Sequence, residues 1–165
     1  MRHFVLSAFA ICAALLMGAQ ASAQQPAAAP PLPPAFSYGA PITLEQARKV
    51  AAAAEAEAKK RNMIMVIAIV EPSGDLVYFQ RMDGAQYASI KNAQSKAMSA
   101  ALYGRPTKIF RERVAQGDLS PMALVGAVAS DGGVPIVVNG KTIGAIGTSG
   151  GADDAVSQTG ADALK

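Results

Sequence analysis

The residues best suited to chemistry lie in one short segment, RMDGAQY, at positions 81–87. Arg81 can hold a carboxylate through two parallel hydrogen bonds, and Asp83 can accept or release a proton. Because one residue separates them, they point to the same side if the chain is extended there. The segment follows a long apolar run, so we predict a candidate site at the end of this strand.

Lys96, on the helix predicted to follow, is a second cation near this segment in the sequence. Together with Arg81 it would bind the acidic edge of a ligand. The charges of Arg81, Asp83 and Lys96 can instead form ion pairs that fasten the strand to the helix. Structural ion pairs and binding sites use the same residue types, so both interpretations stay open.

An export signal is predicted at the start of the chain. An apolar run at residues 4–19 follows Met1, Arg2 and His3, and the sequence ASA at positions 21–23 is typical of a cleavage site. The run is shorter than the ~20 residues of a membrane span. We therefore predict a signal peptide over residues 1–23, no membrane span after cleavage, and a periplasmic or secreted bacterial protein.

Cleavage would remove the only histidine, His3, and the only cysteine, Cys12. The mature chain would then have no disulfide, no cysteine nucleophile, no Ser-His-Asp triad and no zinc site built from these side chains. The loss of Arg2 lowers the formal net charge from +3 to +2. Since this excess is small, we expect no nucleic-acid partner.

The elements that position the candidate residues begin after a Pro/Ala-rich linker at residues 24–41. A domain is predicted over residues 42–165. Thr43 and Gln46 form a capping-box pattern, and the alanine-rich sequence that follows predicts a first helix with basic residues in its last turn. Its stripe of small residues permits close packing on a sheet.

Two β-hairpins are predicted. The run MIMVIAIV at positions 63–70 is typical of a strand buried on both faces, and the PSG sequence at 72–74 favours a tight turn that leads back through residues 76–84. Asn139 and Gly140 favour a type I′ turn between strands at 134–138 and 141–148. Gly144 and Gly147 on the last strand indicate close approach of another backbone or of a ligand.

Further helices complete the pattern. Ser89 is expected to cap a helix that ends at Gly104 and leaves Lys96 off its buried side, and Thr107 is expected to cap a short helix. Asp153 and Asp154 begin the last helix, where carboxylates complement its dipole; a surface metal site is the less favoured interpretation. With a further strand expected around residues 122–129 and no βαβ alternation, the pattern predicts an α+β domain with an antiparallel sheet.

Several motifs resemble those of the GlcG/HbpS family, also described as haem-degrading or DUF336 domains. They are RMDGA at 81–85, S-x-x-x-A-x-x-K-A at 89–97, R-P-T at 105–107 and GG-VPIVVNG-x-x-IGAIGTSGG at 132–151, and the similarity extends from Leu44 to Leu164. The resemblance implies a profilin-like fold, with a five-stranded antiparallel sheet and flanking helices, and assembly into homo-oligomers. It also implies haem or another tetrapyrrole as the ligand.

A histidine ligand to haem iron, however, is absent from the predicted mature chain. The remaining ligands are methionine, tyrosine, a lysine, an oxygen donor such as Thr107, or water. Met82 and Tyr87 are the best placed of these because they flank the charged strand end, whereas Met63 and Met65 are expected in the core. The predicted cofactor-binding residues are Arg81, Met82, Asp83, Tyr87, Lys96 and Thr107.

Three functional hypotheses follow. The first is an exported, oligomeric haem- or tetrapyrrole-binding protein with a role in redox sensing or haem handling. The second is a cofactor-free enzyme for a small carboxylate, in which Arg81 anchors the substrate and Asp83 or Lys96 moves a proton. The third is a structural accessory subunit of a periplasmic redox system.

Overall fold

A computed structural model describes residues 37–165 of the chain. Within them it has four strands, β1 (Val66–Val70), β2 (Leu76–Arg81), β3 (Gly133–Val138) and β4 (Lys141–Ser149), and four α-helices, α1 (Leu44–Lys60), α2 (Tyr87–Tyr103), α3 (Lys108–Ala115) and α4 (Asp153–Asp162). A short 3-10 helix spans Ser120–Ala123. The predicted signal peptide and most of the predicted linker lie outside the described residues.

The strands form one antiparallel sheet in the order β2-β1-β4-β3, with helices on both faces. Alternate residues of β1 explain this arrangement: Ile67 and Ile69 pack with α1 and α4, whereas Val66, Ala68 and Val70 pack with the alanines of α2. All five residues of β1 are buried, which confirms the prediction of a strand covered on both faces. No helix in residues 37–165 combines the length and apolar character needed to cross a membrane.

Both predicted hairpins are confirmed. In the first, β1 pairs with β2, and the amide of Gly74 donates to the Glu71 carbonyl at 2.9 Å with a φ of +93° that favours glycine. In the second, β3 pairs with β4 around Asn139 and Gly140, whose φ values of 50° and 72° are those a type I′ turn requires. The capping box of Thr43 and Gln46 is also present, with α1 beginning at the next residue after Thr43.

The close approach predicted at the glycines of β4 is made by protein backbone. A side chain at Gly147 would collide with the backbone of α2, at the Ala93 carbonyl oxygen and, at 2.5 Å, the Ala97 nitrogen. At Gly144 it would collide with the Val70 carbonyl oxygen of β1. At these two positions the neighbouring element therefore fills the space that a ligand was considered to occupy.

Two predicted element assignments are wrong. Residues 122–129 do not form a strand, because successive local turns use their backbone groups: the Leu124 amide donates to Pro121 and the Ala127 amide to Leu124, both at 3.2 Å. Within residues 37–165 the sheet therefore has four strands, and the fifth that the resemblance implied is not found there. In addition, α2 begins at Tyr87, with Gln86 as its N-cap, so Ser89 lies inside the helix.

The last residues of the predicted linker contact the sheet beyond the end of β1. The Thr142 amide of β4 donates to the Ser37 carbonyl at 2.8 Å, and the Gly39 amide donates to the Thr142 carbonyl at 2.9 Å. These two hydrogen bonds form an isolated parallel β-bridge between Tyr38 and Thr142. The segment around Tyr38 thus pairs with the part of β4 that extends beyond its pairing with β1.

Candidate functional site

The segment RMDGAQY forms the corner between β2 and α2, where an exposed arginine stacks on an exposed tyrosine. The Arg81 guanidinium carbon lies 4.6 Å from the centre of the Tyr87 ring, which is a cation–π contact. The Arg81 Nε donates to the Ala85 carbonyl at 3.2 Å, which holds the side chain over the turn. Arg81 and Tyr87 therefore form one unit, although they belong to different elements.

The two residues that follow Arg81 have different surroundings. Asp83 is exposed, and its carboxylate has no hydrogen-bond or ion-pair partner within residues 37–165. Met82 packs against the core beside α1, and its Sδ accepts a hydrogen bond from the Met65 amide at 3.3 Å. Asp83 is thus available to a ligand, whereas the Met82 thioether is occupied in fastening the end of β2 to Met65.

A cleft of about 500 Å³ adjoins this corner. Gly84, Ala85 and Gln86, which lie between Arg81 and Tyr87 in the chain, line it, whereas Arg81 and Tyr87 themselves do not. The other lining residues are Asn62, Met63, Ile64, Ser89, Asn92, Ser149, Gly150 and Gly151. The volume is in the range of small-molecule sites, and polar groups and glycines predominate over the apolar Met63, Ile64 and Ala85.

Hydrogen bonds join the opposite sides of this cleft. Ser89 of α2 and Ser149 at the end of β4 are both buried, and their hydroxyl groups are 3.2 Å apart in a hydrogen bond. Ser89 was predicted to cap the helix; instead it connects the helix to the sheet because it falls on the buried face of α2. The Met63 Sδ accepts a hydrogen bond from the Ala152 amide at 3.1 Å, which links the turn after α1 to the start of α4.

Lys96 lies inside the protein and does not reach the Arg81 corner. Its Nζ donates to Asp153 Oδ2 at 2.7 Å and to the Thr148 carbonyl at 3.2 Å. The prediction that Lys96 faces away from the core is wrong, because three residues after the buried Ala93 it falls on the same helix face. The predicted ion-pair network with Arg81 and Asp83 is therefore replaced by a pair with Asp153.

Asp153 is a structural residue whose partners the sequence did not reveal. Its Oδ1 accepts hydrogen bonds from the Gly150 and Gly151 amides, both at 2.9 Å, while its Oδ2 pairs with Lys96. One carboxylate thus holds the β4–α4 turn, which forms one wall of the cleft. The sequence signal was an aspartate just after two glycines at a helix start, a place where such side chains commonly bind nearby amides.

Thr107 is also buried and belongs with Lys96. Its hydroxyl accepts a hydrogen bond from the Gly133 amide at 2.9 Å, so it joins α3 to the start of β3 and does not cap α3 through its side chain. A side chain at Gly133 would collide with the Lys96 carbonyl oxygen and with Thr107 Cγ2. The six predicted site residues therefore fall into an exposed group, Arg81, Asp83 and Tyr87, the core-packed Met82 between them, and an interior pair, Lys96 and Thr107.

A second cleft of about 500 Å³ lies on the other side of the β4–α4 turn. The charged side chains around it form ion pairs: Arg111 Nε lies 2.6 Å from Asp131 Oδ1, and Lys108 Nζ lies 3.0 Å from Asp154 Oδ2. The hydrogen bond to Asp154 raises the pKa of Lys108. Within residues 37–165, no group of three or more His, Cys, Asp or Glu side chains is placed to hold a metal ion. These ion pairs connect α3 to the loop before β3 and to α4.

Similarity to known proteins covers nearly the whole described domain. Residues 42–164 match the family model described as "Haem degrading protein HbpS-like". Over 108 residues the chain is 36% identical to Protein GlcG of Escherichia coli K12, an alignment that covers 66% of this chain and 81% of GlcG.

Solved structures share the fold. A double mutant of HbpS from Streptomyces reticuli superposes with a TM-score of 0.70 at 30% sequence identity, covering 85% of this chain and 99% of HbpS. PduOC, solved as a complex with haem, gives a TM-score of 0.68 at 25% identity, covering 76% of this chain and 96% of PduOC. The profilin-like α+β fold that the motifs implied is thus confirmed, with four strands in the described sheet.

Proposed function

Since this chain belongs to the HbpS-like family of haem-degrading proteins, we propose that it binds haem or a related tetrapyrrole at the corner between β2 and α2 and over the adjoining cleft. The observation that carries this proposal is the exposed Arg81–Tyr87 stack, which spans residues 84–86 that line the cleft. The haem complex of the structurally similar PduOC supports the choice of ligand.

The residues at this corner fit the chemistry of such a ligand. A tetrapyrrole with acid side chains needs a cation at its edge, an apolar surface against its ring and a donor for its metal. Arg81 is exposed, and its Nε alone is used by Ala85, so its terminal amino groups can hold a propionate. Half-exposed Ile64 provides apolar surface in the cleft, and Tyr87 provides an oxygen donor.

Bound haem would supply a redox-active iron, while the protein would hold the edge and the face of the ring. Histidine and thiolate ligation is excluded for residues 37–165, which contain neither His nor Cys. The interior pair, Lys96 and Thr107, already has hydrogen-bond partners within the protein. A role for either in binding therefore stays a prediction that requires those contacts to be exchanged for contacts with the ligand.

We further propose that the protein is exported and acts in the periplasm or outside the cell, in haem handling or redox sensing, as a homo-oligomer. The N-terminal sequence pattern supports export. Exposed apolar side chains at residues 119–125 support self-association. A role as an accessory subunit of a periplasmic redox system is compatible with the proposed export. A partner protein that co-purifies with this chain would indicate that role.

A titration with haemin tests the proposed ligand. We expect a saturable shift of the Soret band when purified protein is added to haemin, and roughly ten- to hundredfold weaker binding by Arg81→Gln, since a charge-assisted hydrogen bond contributes about 1.5–3 kcal/mol. Arg48→Gln, which changes an exposed arginine of α1, is the matched control and should bind as the wild type does. Absence of a saturable shift would refute haem binding.

A cofactor-free enzyme for a small carboxylate is the second candidate, and the polar lining of the cleft favours it. In this function Arg81 would anchor the substrate and Asp83 would move the proton, because Lys96 is paired with Asp153 inside the protein. Substrate-dependent activity that Asp83→Asn abolishes, with an unchanged unfolding transition, would support the enzyme. Equal activity in Asp83→Asn would exclude this role of Asp83.

A further inference from the structure

The cleft beside the β2–α2 corner is lined by uncharged residues. Three carboxamides, from Asn62, Gln86 and Asn92, lie around it together with two serines and three glycines, and none of the lining residues is Asp, Glu, Lys or Arg. A carboxamide both donates and accepts hydrogen bonds, as a hydroxyl group does, whereas a buried ion requires an opposite charge. The lining therefore matches an uncharged polar molecule better than an ionic one.

The three carboxamides come from different places in the fold, and none has a hydrogen-bond partner within residues 37–165. Asn62 follows α1 in a left-handed conformation with a φ of 54°, where the Met63 amide donates to the Ala58 carbonyl at 2.9 Å. Gln86 is the N-cap of α2, but its side chain makes no capping hydrogen bond, and Asn92 lies on the exposed side of the same helix. All three are therefore available to a ligand.

Two buried hydroxyl groups in the lining have one hydrogen to spare. Ser89 and Ser149 are 5% and 6% exposed, and their oxygens share a single hydrogen bond of 3.2 Å. One of the two hydroxyl hydrogens serves this bond, and the other has no acceptor within residues 37–165. Because an unsatisfied buried donor is costly, the pair is prepared to donate to an oxygen atom in the cleft.

The glycine turn after β4 is closed to a ligand anion. Turns of this kind before a helix commonly present free amides to a phosphate or carboxylate. Here the amides of Gly150 and Gly151 already donate to Asp153 Oδ1, both at 2.9 Å, and the charge of Asp153 is balanced by Lys96. An anion in the cleft would therefore find neither these two amides nor a cationic side chain among the lining residues.

We propose that this cleft binds a small uncharged molecule rich in hydroxyl groups, a polyol or a monosaccharide. One ligand oxygen accepts the spare hydrogen of the Ser89–Ser149 pair, and ligand hydroxyl groups bind the carboxamides of Asn62 and Asn92. Ile64 supplies apolar surface for the carbon atoms, and the volume of about 500 Å³ is in the range of small-molecule sites. The site goes beyond haem binding and differs in ligand class from the small carboxylate considered above.

Nuclear magnetic resonance tests the class of ligand. We expect glucose or glycerol to cause saturable shifts of the side-chain NH₂ signals of Asn62 and Asn92. Glucuronate and glycerate, which are of similar size but carry a carboxylate, are expected to bind more weakly. Failure of both uncharged probes to shift these signals, or a carboxylate that binds as tightly as its uncharged counterpart, would overturn the proposal. The haemin titration does not depend on this result, so the two proposals can fail separately.

Two variants test the place of binding. Asn62→Gly keeps the left-handed backbone, which glycine adopts readily, and Asn92→Ala introduces a good helix former on the exposed side of α2. Each is expected to weaken binding of the uncharged probe roughly two- to tenfold, the effect of losing one neutral hydrogen bond. Gln116→Ala, which removes an exposed carboxamide at the end of α3, is the control and should bind as the wild type does. Unchanged affinity in both cleft variants would overturn this site.

Discussion

Lys96 is a charged side chain whose role depends on a partner far away in the sequence. Its ammonium group and the Asp153 carboxylate are 6% and 16% exposed, and they meet at 2.7 Å. The same carboxylate binds the two glycine amides of the β4–α4 turn. The pair therefore joins α2 to the wall of the cleft, so its loss affects both stability and the shape of the candidate site.

Lys96→Met is expected to lower the free energy of unfolding by about 3 kcal/mol, because it leaves the Asp153 carboxylate partly buried without its cation. Urea denaturation monitored by circular dichroism measures this loss. Lys91→Met, on the exposed face of the same helix, is the control and should change stability by no more than about 0.5 kcal/mol. Equal effects of the two substitutions would contradict a buried ion pair.

At the scale of elements, the distance between α2 and the sheet determines the geometry of the cleft. The alanines of α2 and Gly147 of β4 let the two backbones approach closely. This approach brings Ser89 within hydrogen-bond distance of Ser149 and places Asn92 in the lining. The small residues thus have a packing role that also forms the candidate site.

Gly147→Ala is expected to destabilise the protein by about 3 kcal/mol, because the added methyl group collides with the α2 backbone, which can move only with the whole helix. Gly140→Ala is the comparison: its added methyl group has open space around it, so the cost is the left-handed conformation alone, about 1 kcal/mol. Thermal and urea denaturation of both variants give the two values. A smaller loss for Gly147→Ala than for Gly140→Ala would show that α2 can move away from the sheet.

At the scale of the whole molecule, several strongly exposed aliphatic side chains of residues 37–165 lie on the loop around the 3-10 helix. Leu119, Met122 and Val125 are 65%, 68% and 90% exposed. Concentrated exposed apolar residues of this kind often mark protein interfaces. We propose that a second copy of this chain covers them, as the proposed homo-oligomer would require.

Met122→Glu and Val125→Glu are expected to reduce self-association, since each would bury a charge in a contact between copies. Sedimentation velocity over a range of protein concentrations measures the assembly. Leu44→Glu, at an exposed apolar position at the start of α1, should leave it unchanged. A wild-type protein that is monomeric at every concentration would refute the proposal, and full assembly of both loop variants would place the interface elsewhere.

The elements that the sequence predicted correctly depend on neighbours within a few residues. The capping box of α1, the turn at Asn139 and Gly140, and the buried run of β1 each follow from local spacing and backbone preference. The prediction of a strand at residues 122–129 was wrong, because a strand depends on a partner strand elsewhere in the chain, and an apolar sequence does not show whether that partner exists. Local pattern thus determined the helices and hairpins and the α+β class.

Only the tertiary structure decided which of the candidate side chains contact one another. Arg81 and Tyr87 were predicted together from one motif, but their stacking depends on the angle at which α2 leaves the β2 corner. Lys96 was grouped with them and instead pairs with Asp153, 57 residues away, because the sheet brings the start of α4 beneath α2. Side-chain partners that distant are selected by the packing of the elements, which local sequence patterns do not specify.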